Sequence, residues 1–201
     1  MDEISNVILT NRYQKGENIY HAGDQSNSLY IVREGRVRIY RISESGKEQL
    51  VRILHPGDFT GEVALFNETI HEAYAQAMEE THVCTVKRAD LQNVLEKYPT
   101  VSLKLLAEFS SRLELSEKQT TRFATEKVET RISLFLIECI DDKSESKEFV
   151  LPMSKKDLAS YLGTTPETIS RKLYELEAAG YIKQKAQNGI EILDIDGLLL
   201  V

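Results

Sequence analysis

The sequence predicts an α+β protein built in three parts. These are an antiparallel β-roll or jelly roll over residues 1–98, a long dimerisation helix over 99–126, and a winged helix-turn-helix over 127–201. Three observations carry this reading. Residues 12–98 alternate apolar and polar side chains in short runs separated by glycines, which is the period of half-buried strands. The stretch from Thr100 to about Ala124 contains no Gly or Pro and is dominated by helix formers. Residues 154–180 then spell two short helices joined by a glycine turn, with a hairpin pattern behind them.

In the first part the strand candidates are IYHAGD (19–24), SLYIVREG (28–35), RVRIYRI (36–42), EQLVRIL (48–54) and HVCTVKR (82–88). Gly16, Gly23, Gly35, Gly46 and Gly57 fall at the joints, where turns need a positive φ. Many short strands with glycine turns suggest a small antiparallel barrel. Residues 57–77, GDFTGEVALFNETIHEAYAQA, crowd glycines and small residues into a short loop and helix start without one arginine or lysine. Backbone of this kind suits closure around a small ligand.

On the long helix Leu106, Phe109, Leu113, Ser116, Thr120 and Phe123 follow the 3,4,3,4,3 spacing of a heptad seam. The two polar positions argue against a bundle core and for a homodimer seam with a polar site in it. Residues 127–141, KVETRISLFLIECID, form a second apolar-faced helix, and the polar loop DKSESKE (142–148) closes this section.

The segment 154–180, SKKDLASYLGTTPETISRKLYELEAAG, is the most informative. Ser154 with Asp157 resembles a capping box, with Asp in place of Glu. Gly163 ends that helix. Thr165 caps the next, with Pro166 at its first position, and Gly180 stops it. Ala159 and Ile169 face the helix–helix contact. YIKQKAQNGIEILDI (181–195) reads as two strands around Asn188-Gly189. A helix-turn-helix with an attached hairpin is a winged DNA-binding domain, so double-stranded DNA is the expected partner. Thr165, Glu167, Thr168, Ser170 and Arg171 are the candidate base readers at the helix start. Glutamate accepts from cytosine N4 and arginine binds guanine O6/N7 bidentately. Lys155, Lys156, Lys172, Lys183 and Lys185 are the candidate phosphate contacts.

Composition narrows the alternatives. The net charge is −7, with 14 basic and 18 acidic residues in 1–120 and 11 and 14 in 121–201. Neither part is basic overall, so DNA contact must rest on a local patch. The acidic start MDEISNVI is not a secretory signal. No apolar run approaches the roughly 18–20 residues of a membrane span. Cys84 and Cys139 form no paired-cysteine motif, which points to a reducing compartment, the cytoplasm, and away from iron–sulfur or zinc sites. His82 and Cys84 share a strand face but read as a half-exposed histidine beside a packed cysteine rather than as haem or metal ligands. His21, His55 and His71 form no HxH or HxxxH pattern. That disfavours the alternative from another class, a small-molecule or metal-dependent, cupin-like β-barrel enzyme with an appended helical domain.

The motifs KGENIYHAGD (15–24), LYIVREGRVRIYR (29–41), PGDFTGE (56–62) and LGTTPETISRKLYELEAAGYI (162–182), in this order, resemble the CRP/FNR family of bacterial transcription regulators over essentially the whole chain. The resemblance implies a cyclic-nucleotide-binding-like β-roll, a homodimer, and RNA polymerase as a partner if the protein activates. Glu167, Ser170 and Arg171 match the E-x-x-S-R pattern of the FNR side, which implies a palindromic operator with TGA-containing half-sites. Pro166 stands where the cAMP-activated branch carries arginine. The G-E-x-x-L-F stretch is Gly61 to Phe66, but the Arg-Ser pair that grips a cyclic phosphate is replaced by His71-Glu72. The Thr-Ser pair that meets the base is replaced by Ser116-Glu117. The effector-pocket candidates are therefore Gly61, Glu62, His71, Glu72, Ser116 and Glu117, with cAMP and cGMP excluded because carboxylates repel phosphate. A neutral or cationic occupant, or none, is expected. Residues 1–30 lack the cysteine cluster of FNR-type oxygen sensors, so no iron–sulfur cluster is expected.

Overall fold

The computed structural model of the protein describes residues 9–67, 69–140 and 147–201. The acidic start of the chain and most of the 142–148 loop lie outside these residues. Two compact units divide the chain, Met1–Arg112 and Leu113–Val201.

Among the described residues the first unit is an all-antiparallel β-roll of ten strands. They are β1 (Leu9–Tyr13), β2 (Asn18–Tyr20), β3 (Gln25–Ser26), β4 (Ser28–Glu34), β5 (Val37–Ile42), β6 (Glu48–Leu54), β7 (Phe59–Thr60), β8 (Thr69–Ile70), β9 (Tyr74–Ala77) and β10 (Thr81–Lys87). One sheet has the order β1-β10-β4-β7, the other β2-β9-β5-β6, and β3 pairs with β8 alone. The alternation seen in the sequence turns Val32 and Val83 of the first sheet toward Tyr20, Val37, Ile39, Leu54 and Ala75 of the second. Each such valine, isoleucine or leucine contributes about 1.5–3 kcal/mol when removed from water. All five glycines expected at the joints have positive φ.

The sequence reading ran the strands to residue 98, and here the structure differs. Arg88–Lys97 is a helix, α1. Leu91 of α1 is buried against Leu29 and Val86, with Leu95 packed beside them. Its N-cap Lys87 offers no capping side chain, so the local signal that announces a helix is missing. The long helix α2 (Pro99–Thr125) follows, starting on a proline that needs no N–H partner.

The second unit contains α3 (Val128–Glu138), β11 (Glu148–Val150), α4 (Lys155–Tyr161), α5 (Pro166–Ala178), β12 (Ile182–Gln184), β13 (Gly189–Ile192) and α6 (Ile195–Leu199). Its core joins Ile132 and Leu136 of α3, Leu158 and Ala159 of α4, and Ile169 and Leu173 of α5 to Ile182, Ile190 and Leu198. Ala159 and Ile169 thus meet at the α4–α5 crossing as expected. The wing has three strands in the order β11-β13-β12, one more than the sequence suggested.

The hairpin itself is shifted by one residue from the Asn188-Gly189 turn expected. The left-handed residues are Gln187 (φ 57°) and Asn188 (φ 60°), while Gly189 is extended at φ −69°. Gly189 serves instead as a close-approach site, since a Cβ there would sit 3.0 Å from the Lys185 Cβ.

Gly61 is the position where the β-roll most strictly demands glycine. Its φ is +83°, and a Cβ would lie 2.4 Å from the Ser28 carbonyl oxygen and 3.0 Å from the Tyr30 ring. Gly61→Ala is expected to destabilise the β-roll by about 2–4 kcal/mol, left-handed strain and overpacking together. Urea unfolding of the two proteins measures this, and an unchanged midpoint would contradict the assigned backbone.

Candidate functional site

α5, in the second unit, is the better defined of two candidate regions. Thr165 stands at its N-cap, accepting from the Thr168 N–H at 3.3 Å, and Pro166 begins the helix. Ile169, Leu173 and Leu176 bury one face. The 3.6-residue period then leaves Glu167, Ser170, Arg171, Tyr174 and Ala178 exposed along the other face. Thr168 lies half-buried at its edge.

Glu167 folds back on the helix start. Its own backbone N–H and the Thr165 hydroxyl hold its carboxyl below the usual carboxylate range. It is therefore ionised at neutral pH and keeps lone pairs for further donors. Arg171 reaches into solvent, its side chain 66% exposed, in a loose 3.8 Å ion pair with Glu175. Tyr174 was not singled out from the sequence. Its signal is its phase, three residues beyond Arg171 and seven beyond Glu167 on one face.

The five candidate phosphate lysines are placed differently from one another. Lys156 and Lys183 are exposed. Lys155 donates to the Gln184 side-chain oxygen at 3.4 Å. Lys172 is bound by Glu129 at 2.6 Å and Glu175 at 2.7 Å, and Lys185 pairs with Glu148 and Glu191. A phosphate reaching either of these two must displace a carboxylate, so Lys172 and Lys185 serve the fold of the unit first. Lysine counts in a sequence cannot reveal such internal neutralisation.

A separate candidate region, within the first unit, is the 57–77 stretch of the β-roll. Glu62 opens a 3-10 turn (Glu62–Leu65) behind Gly61. Its Oε1 accepts from Arg52 at 2.9 Å and from Arg112 at 3.3 Å. Arg112 also donates to Glu108 at 2.8 Å, and its guanidinium lies 4.1 Å over the Phe59 ring. Glu62, a candidate for the effector pocket, is thus already a paired carboxylate. The sequence reading found no arginine in the stretch and missed both, because they come from β6 and α2.

Glu72 is exposed and paired with Arg41 at 2.7 Å. His71 is turned inward, 7% exposed, with its ring stacked on Tyr20 at 3.7 Å between centroids. Its Nε2 is buried without a hydrogen-bond partner. Burial lowers its pKa below the ordinary value, against the opposing pull of Asp24 and Glu62. Tyr20 in turn shares a 2.6 Å hydrogen bond with Thr60, and burial pushes its phenol up to about 12. Ser116 and Glu117 belong to the other compact unit and are exposed on α2, where the Ser116 carbonyl accepts from the Thr120 hydroxyl at 2.8 Å.

The exposed stripe of α2 differs from the seam read in the sequence. Leu106, Leu113, Ser116 and Thr120 are exposed. Phe109 instead meets Phe59 and Phe66 edge-on, 6.0 and 6.2 Å between centroids. Phe123 lies under the Arg131 guanidinium at 5.0 Å and against Gly163. Exposure follows Leu103, Leu106, Ser110, Leu113, Glu117, Thr120 and Ala124, again a heptad spacing. The helix thus offers two candidate seams, which share Leu106, Leu113 and Thr120 and differ in whether Phe109, Ser116 and Phe123 or Leu103, Ser110, Glu117 and Ala124 complete them.

Among the described residues no group of three or more His, Cys, Asp or Glu side chains is placed to hold a metal ion. His82 pairs with Glu34 at 2.8 Å, and Cys84 Sγ contacts the Thr10 hydroxyl at 3.7 Å. No helix among them is long and apolar enough to cross a membrane.

Known proteins resemble the chain along its whole length. Residues 10–98 match the cyclic nucleotide-binding domain family, and residues 130–200 match the Crp-like helix-turn-helix domain family. The anaerobic regulatory protein of Haemophilus influenzae is 32% identical over 204 residues, covering 99% of this chain and 79% of that protein. The probable transcriptional regulator flp of Lacticaseibacillus casei is 31% identical over 175 residues, covering 87% of this chain and 79% of its own. The structure of FixK2 from Bradyrhizobium japonicum superposes with a TM-score of 0.79 at 28% identity, covering 96% of each chain.

The buried, neutral His71 makes the β-roll acid-sensitive. Its folded pKa is depressed, so the unfolded chain takes up the proton first. Stability falls as pH drops below the ordinary imidazole range near 6.5. His71→Phe keeps a ring on Tyr20 and removes the titration. The wild type is expected to lose more thermal stability between pH 7.5 and 5.5 than this variant does. Equal losses in the two melting series would show that His71 does not titrate there.

Proposed function

The chain belongs to the CRP/FNR family of transcription regulators, and from that premise we propose that it reads a palindromic operator with TGA-containing half-sites as a homodimer. The observation that carries this reading is the exposed, capped E-x-x-S-R face of α5. Arg171 is the residue for guanine O6/N7 and Glu167 the acceptor for cytosine N4. Ser170 and Thr165 complete the polar start of the helix. Two copies of α5 face half-sites about one helical turn, ~34–36 Å, apart. Lys156 and Lys183 are the readiest phosphate contacts, because Lys172 and Lys185 are already paired.

The second copy covers the exposed stripe of α2. Its leucines at 103, 106 and 113 are apolar surface at heptad spacing on a helix that has no fully buried residue of its own. Contact with RNA polymerase follows if the protein activates transcription. Its place of action is the cytoplasm, where DNA and reduced cysteines are both found.

Neither cAMP nor cGMP is the signal. His71-Glu72 stands where the Arg-Ser pair would be, and the arginines around the stretch are already engaged, Arg52 and Arg112 on Glu62, Arg41 on Glu72 and Arg88 on the Asn67 carbonyl. His71 fills its own place on Tyr20. Activity is either constitutive or gated by a different, unidentified effector.

An operator selected from a random DNA pool by the purified protein tests the reading. Arg171→Ala is expected to cost about 1–3 kcal/mol of operator affinity and to relax selection at one base position, while added cAMP leaves the wild-type affinity unchanged. Fluorescence anisotropy measures both, and full operator affinity in the variant would sink the assignment. Leu113→Glu places a charge in the stripe and is expected to give monomers in sedimentation at concentrations where the wild type is dimeric. A variant that remains dimeric would move the interface elsewhere.

A further inference from the structure

We infer that Tyr174 is a further DNA-positioning residue, whose phenol donates to a phosphate oxygen at the wall of the groove that α5 enters. The inference rests on the DNA-reading role proposed above for α5.

Tyr174 is 69% exposed, a large aromatic left almost wholly in water. Single exposed aromatics are common on protein surfaces, so exposure alone says little. Its position says more. It stands in line with Glu167, Ser170 and Arg171, about 4.5 Å beyond Arg171 and about 10.5 Å beyond Glu167 along the helix axis. A recognition helix enters the major groove with its N-terminal residues against the base edges. The groove is about 12 Å wide and 8.5 Å deep. A side chain one turn past the base readers therefore meets the sugar–phosphate wall rather than the floor. Tyrosine is among the side chains that hydrogen-bond phosphate oxygens.

The surrounding charges favour this contact. Two carboxylates near Tyr174 are tied back, Glu175 to Lys172 at 2.7 Å and Glu177 to the Gln184 backbone and side-chain amides at 2.7 and 2.9 Å. Lys172, the cation closest in sequence, is spent on Glu129 and Glu175. A neutral O–H donor at 174 supplies a phosphate contact here without another lysine. It also sets how deep α5 sits, and so which base pair Arg171 meets.

The test is anisotropy with the full chain and its selected operator, comparing Tyr174→Phe with Tyr174→Ala and Arg171→Ala. Tyr174→Phe is expected to weaken binding about tenfold, equally for the operator and its single-base variants. The slope of log affinity against log salt should match the wild type, since an uncharged phenol releases no counterion. Tyr174→Ala should bind no better than Tyr174→Phe, with an unchanged circular dichroism spectrum for both. Wild-type affinity in Tyr174→Phe overturns the inference, as does a loss confined to one base pair, which would make Tyr174 a base reader. If Arg171→Ala relaxes specificity while Tyr174→Phe is neutral, only this inference falls. If neither matters, the DNA-reading role of α5 falls with it.

Discussion

The rest of the structure depends on one constraint: α2 runs for 27 residues without a single fully buried side chain. Most of a helix's stability in a protein comes from packing one face rather than from propensity, so α2 depends on what it touches. Within the first unit Leu105 and Phe109 pack toward Leu29, Val86 and Leu91, and Arg112 covers Phe59. Within the second, Phe123 lies against Gly163 and Arg131. These contacts use one edge of the helix. The leucines of the other edge remain bare, and in the dimer proposed here they supply the burial that the helix otherwise lacks.

Electrostatics follows the same economy of local pairing. A chain of net charge −7 meets a polyanion only where acids are withdrawn and cations presented. In the second unit Glu129, Glu175, Glu148 and Glu191 are bound to Lys172 and Lys185, which offsets part of their negative charge while fastening α3 to α5 and the wing strands to one another. The cost is that two lysines are withdrawn too. The exposed face of α5 carries Glu167, Ser170, Arg171 and Tyr174, with the paired Glu175 beside them. Such a surface suits selective reading better than strong unspecific attraction, because counterion release grows with every free cation presented to the backbone.

How much was legible in the sequence depended on how local the cause was. The start and end of α5 were legible because Thr165, Pro166, Gly163 and Gly180 act within one turn of themselves. The β-roll glycines were legible for the same reason. The wing turn was misplaced by one residue because Asn-Gly is a strong two-residue signal, whereas here Gln187 and Asn188 take the left-handed positions and Gly189 answers a steric demand from Lys185. α1 was hidden by an uncapped start. The partners of Glu62 were out of reach altogether, since Arg52 and Arg112 are ten and fifty residues away and only the fold brings them to one oxygen.

That three-residue cluster also links the two faces of α2. Successive helical residues point about 100° apart, so within the first unit Arg112, held by Glu62 and Glu108, stands on the opposite side of α2 from Leu103. Rotation of α2 that broke the Arg112–Glu62 contact would turn the leucine stripe with it. The 3-10 turn behind Gly61 and the proposed dimer face are therefore one mechanical element, joined through a carboxylate. In a gated regulator an effector acts on this element by competing for Arg52 and Arg112 or by moving Glu62. In a constitutive one, Glu62 itself occupies the position permanently. The internal ion pair weighs toward the second case, because it satisfies both guanidinium groups with a residue the chain already carries.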